Sequence, residues 1–83
     1  MITPDKLAIY RTHGGDVALW QRSGGPQRDA ITGNEWGAIT KLLQELTVYK
    51  RGLVSKRYAE KIRERFTQLA ADDDVARQIM DLA

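Results

Sequence analysis

Apolar side chains recur along this chain at helical rather than strand spacing. The clearest run is Trp36, Ile39, Leu43 and Leu46, at i, i+3, i+7 and i+10, with Leu42 and Tyr49 widening the stripe. A second line, Tyr58, Ile62, Phe66 and Leu69, runs through an otherwise charged segment, and Val75, Ile79 and Leu82 share one face of a third. Stripes of this kind bury one side of a helix against a neighbour and leave the other in water, so the pattern predicts helices packed on helices.

The ends of these segments are signposted. Thr3 is placed to cap a first helix with Pro4 at its first position, where a missing N–H costs nothing. Ile2 and Leu7 have the spacing of a hydrophobic staple. His13, Gly14 and Gly15 supply the stop, with glycine available for a left-handed residue. Asp16 opens a short second helix carrying Val17 and Trp20 on one face, and Gly24-Gly25-Pro26 ends it, leaving residues 23–30 as a loop. Thr32 and Glu35 form a capping box, with Ile31 and Trp36 as the accompanying staple, and Gly52 follows the far end. Ser55 caps a fourth helix and the Asp72-Asp73-Asp74 run caps a fifth.

These signals predict an all-α fold, a compact bundle of about five helices over residues 4–13, 16–22, 33–51, 56–70 and 73–82, within a single domain spanning 1–83. The long third helix is the spine on which the fourth and fifth pack. The predicted core is Leu7, Tyr10, Val17, Trp20, Ile31, Trp36, Ile39, Leu43, Leu46, Leu53, Tyr58, Ile62, Phe66, Leu69, Val75 and Ile79. A rival pairing folds residues 7–22 into a β-hairpin around Gly14-Gly15. It would set Ile9 against Trp20 on one face and Tyr10 against Leu19 on the other, leaving neither face polar, so two helices are the better reading.

Composition narrows the chemistry. The chain has 83 residues, no cysteine and one histidine, which rules out a disulfide framework and leaves a zinc site a single imidazole to build on. Neither a secretory leader nor a run approaching roughly 18 apolar residues is present, so a cytoplasmic location is expected, with no membrane partner. His13 reads as a helix-end residue favoured by the negative pole of the dipole, and Ser23 and Ser55 lie outside any nucleophile elbow. Three consecutive aspartates cannot converge on one ion and suit a helix start instead. The pairs Gly14-Gly15 and Gly24-Gly25 match no phosphate-binding fingerprint. No catalytic residue, metal, cofactor or small-molecule ligand is therefore expected.

Charge distribution says more than the net of +2. Residues 50–65 carry Lys50, Arg51, Lys56, Arg57, Lys61, Arg63 and Arg65 against Glu60 and Glu64, whereas residues 66–83 carry Arg77 against four aspartates. On a helical wheel the basic side chains of the fourth helix interleave with its glutamates, as on a solvated face. Two functional readings follow. The first is a small non-enzymatic protein-interaction module, adaptor or regulatory, using Trp20, Leu42 and Tyr49 as a partner surface for another protein or a second copy of the chain. The alternative is a nucleic-acid-binding domain whose contacts are Lys50, Arg51, Lys56, Arg57, Lys61 and Arg65.

Overall fold

The computed structural model describes residues 1–52 and 55–82, and among them the chain forms six helical segments. They are α1 (Pro4–Thr12), α2 (Val17–Ser23), α3 (Gly25–Asp29), α4 (Gly33–Lys50), α5 (Lys56–Leu69) and α6 (Asp73–Met80). Five are the helices predicted from apolar spacing. The sixth, α3, is a five-residue helix inside the segment read as a loop. Pro26 fixes φ near its start, and the Ala30 N–H closes the turn on the Pro26 carbonyl at 3.0 Å.

The predicted caps form. Thr3, Asp16, Thr32, Ser55 and Asp72 each accept a backbone N–H through the side chain, at Lys6, Ala18 and Leu19, Glu35, Tyr58 and Val75 respectively. At α4 the box is reciprocal: the Glu35 N–H donates to Thr32 Oγ1 and the Thr32 N–H donates to Glu35 Oε1, both at 3.1 Å. The hairpin alternative does not occur, because residues 7–22 form α1 and α2. Gly15, at φ +72°, is needed twice in their connection. The backbone is left-handed there, and a Cβ would stand 3.1 Å from the Tyr10 hydroxyl oxygen.

The spine is α4, with α5 and α6 packed along it and α1 against α6. Near its start three aromatic rings from three helices meet. Trp36 stacks on Trp20 at 4.7 Å and 12°, and Tyr10 tilts against it at 4.5 Å. The Thr40 hydroxyl donates to the Trp36 carbonyl at 3.1 Å, which leaves the Tyr10 hydroxyl to donate to Thr40 at 2.9 Å. Toward the other end Ile39, Leu42 and Leu46 meet Ile62 and Phe66 of α5 and Val75, Ala76 and Ile79 of α6 in the same continuous core. Full burial of each large member stabilises the fold by about 1.5–3 kcal/mol.

The chain start is tied to this core by backbone bonds that no periodicity announces. Ile2 is fully buried, its N–H donates to the Leu69 carbonyl, and its own carbonyl accepts from the Ala71 N–H, both at 2.8 Å. The result is an isolated parallel bridge between Ile2 and Ala70.

Several core assignments need correction. Val17 and Tyr58 are exposed, at 46% and 37%. Val17 is the first residue of α2, whose inward face is set by Trp20, and in α5 the inward column is Ala59, Ile62 and Phe66. Leu43 and Leu69 are half-buried against the core rather than inside it, while Leu42 takes the inward place on α4. Leu82, placed by sequence on the face of Val75 and Ile79 but not in the core, lies beyond α6 and is 37% exposed. The predicted core residue Leu53 falls outside the described residues.

Candidate functional site

Two of the exposed large apolar side chains, Val48 and Tyr58, lie where α4 and α5 pack side by side. The groove between the two helices opens at two mouths. One is lined by Ala38, Lys41, Leu42, Arg65, Gln68 and Leu69, the other by Glu45, Val48, Ser55 and Tyr58, and each is a shallow, open hollow of about 420 Å³. Between them Arg65 reaches across from α5 and donates to Glu45 of α4 at 2.9 Å. The Glu45 carboxylate is thereby neutralised within the groove. An exposed pair like this adds about 0–1 kcal/mol to stability, so its role in holding the helices together is small.

Val48 and Tyr58 are each more than a third exposed at the second mouth. Tyr58 stands in the first turn of α5 with Lys56 and Arg57, both exposed, and Lys50 and Arg51 are exposed at the end of α4. No acidic side chain occupies the first turn of α5. Two cations therefore sit at the positive pole of a helix, a placement that costs about 0.3–1 kcal/mol apiece where it is not screened. Lys61 is exposed one turn further on.

The six basic residues expected to touch nucleic acid are thus all exposed, but they do not act as one free set. Arg65 is committed to Glu45, and the exposed Glu60 and Glu64 share the outer side of α5 with Lys61. The surface expected from Trp20, Leu42 and Tyr49 is overturned. Trp20 and Leu42 are 5% and 7% exposed, and Tyr49 packs half-buried against the core. Trp20 is used by its stack on Trp36, and Leu42 by the α4–α5 contact. The apolar side chains that do reach solvent include Val48 and Tyr58 in the groove and Val17 and Leu19 on α2. Tyr58 could have been found from sequence by admitting Ala59 as an inward residue, since Ala59, Ile62 and Phe66 at i, i+3 and i+7 turn Tyr58 to the flank.

A second, smaller hollow of about 310 Å³ lies between α2 and α4, over Gly33, Trp36, Gly37 and Thr40, with Gly15, Val17, Lys41 and Gln44 at its sides. The buried Trp36 indole N–H finds no acceptor among the described residues. The space above Gly37 is open, so the chain's own packing gives no reason for glycine inside this helix.

Other side chains singled out from sequence have structural employment. His13 caps α1, its Nδ1–H donates to the Ile9 carbonyl at 2.8 Å, and its ring lies edge-on to Trp36. Ser23 donates to the Trp20 carbonyl at 2.6 Å. Asp72 caps α6, with Asp73 and Asp74 in its first turn. Among the described residues no three His, Cys, Asp or Glu side chains gather where they could hold a metal ion, and no helix is long and apolar enough to cross a membrane.

One acidic residue is strongly perturbed. Burial pushes the Glu35 carboxyl upward, but the hydrogen bond from Lys6 Nζ at 2.7 Å, the Thr32 backbone and side-chain contacts and the Lys6 charge outweigh it and hold the pKa down to about 2. The same carboxylate lies 3.5 Å from the Met1 amino group. Glu35 therefore ties α1 to the start of α4, and its perturbation has a structural cause.

No family model, curated protein or solved structure matches the chain.

Proposed function

We propose that this chain is a non-enzymatic protein-interaction module that receives its partner in the groove between α4 and α5. The observation that carries this reading is the pair Val48 and Tyr58, two large apolar side chains left more than a third exposed at one groove mouth. Apolar surface gathered in a concave site, with charge around it, is what a partner's anchor residues fill. The side chains most able to carry acid–base chemistry have been accounted for as caps and ties, which favours binding over catalysis.

Photo-crosslinking tests the location. A photoreactive phenylalanine analogue at position 58 is expected to give a discrete protein adduct in the native cell, and Val48→Asp in the same chain is expected to remove it. The same analogue at Leu19, on α2, serves as the control. Equal labelling from both positions, or none from position 58, would defeat the assignment.

A nucleic-acid reading is favoured by one observation, the exposed Lys56 and Arg57 in the first turn of α5, with Arg51 exposed at the end of α4. It predicts binding that weakens steeply with salt, and neutralising Lys56 and Arg57 should lower the slope by about two. The exposed glutamates of α5 and the pairing of Arg65 weigh against it. Absence of binding to a duplex or single-stranded oligonucleotide at low salt would dispose of it.

A further inference from the structure

We draw no further inference here: the strongest candidate, the hollow between α2 and α4 over Gly33 and Gly37, is a stripe of small residues beside the buried Trp36 indole N–H, and nothing among the described residues shows what covers it.

Discussion

The starts of α5 and α6 are built alike and charged oppositely. Ser55 caps one through Tyr58 N–H at 3.3 Å, and Asp72 caps the other through Val75 N–H at 2.9 Å. Behind the cap, α6 places Asp73 and Asp74, which its dipole favours, whereas α5 places Lys56 and Arg57, which its dipole opposes. The start of α4 sides with α6, carrying Glu35 in a reciprocal box. Two helix starts are thus arranged for stability of the chain alone. The third spends a little stability on positive charge beside an exposed apolar mouth, and local departures of this kind concentrate where a protein meets something else.

Breaking the favourable starts should have the largest effects. Glu35→Ala removes the side-chain half of the capping box and the Lys6 contact together while the Thr32 cap remains, and a loss of about 2–3 kcal/mol is expected in urea unfolding. The same residue gives a pH signature. Because its folded pKa lies near 2 and the ordinary value is 4.5, its contribution is complete above about pH 4.5 and disappears as pH falls toward 2. A Glu35→Gln chain should therefore lose less stability across that acid window than the parent, and parallel curves would remove Glu35 from the account. Asp72→Ala comes next, at about 1–2 kcal/mol from the lost cap and dipole partner.

The opposing start should respond in the other direction. K56E/R57E is expected to raise stability by about 1–2 kcal/mol, and a destabilised double variant would contradict the dipole argument. Smallest of all, Arg65→Ala should shift stability by less than about 1 kcal/mol, since the Arg65–Glu45 pair is exposed. A larger loss would mean that the ion pair is a structural tie across the groove.

The helices were legible because their boundary chemistry is local. Thr32 with Glu35, or Thr3 with Pro4, needs only a few neighbouring residues to form. The groove was less legible, because apolar spacing identifies a stripe without deciding which of two adjacent columns faces inward. Leu42 and Leu43 exchange roles on that ground, and so do Tyr58 and Ala59. Trp20 reads as partner surface from sequence alone because its stacking partner, Trp36, lies on another helix. The basic cluster was visible as composition, but the ion pair that withdraws Arg65 from it depends on α4 and α5 lying side by side. Residues 25–29 read as a loop because glycine and proline punctuate them, although Pro26 is well suited to a first helical turn.

The pairing of Ile2 with the junction of α5 and α6 has a kinetic consequence. It joins segments separated by most of the polypeptide, so the entropy of closing that loop is among the largest any contact here must overcome. A contact of such long separation raises contact order and with it slows folding. The amide of the exposed Ala71, held by the Ile2 carbonyl, accordingly reports opening of this bridge, distinguishable in hydrogen exchange from amides held inside the neighbouring helices.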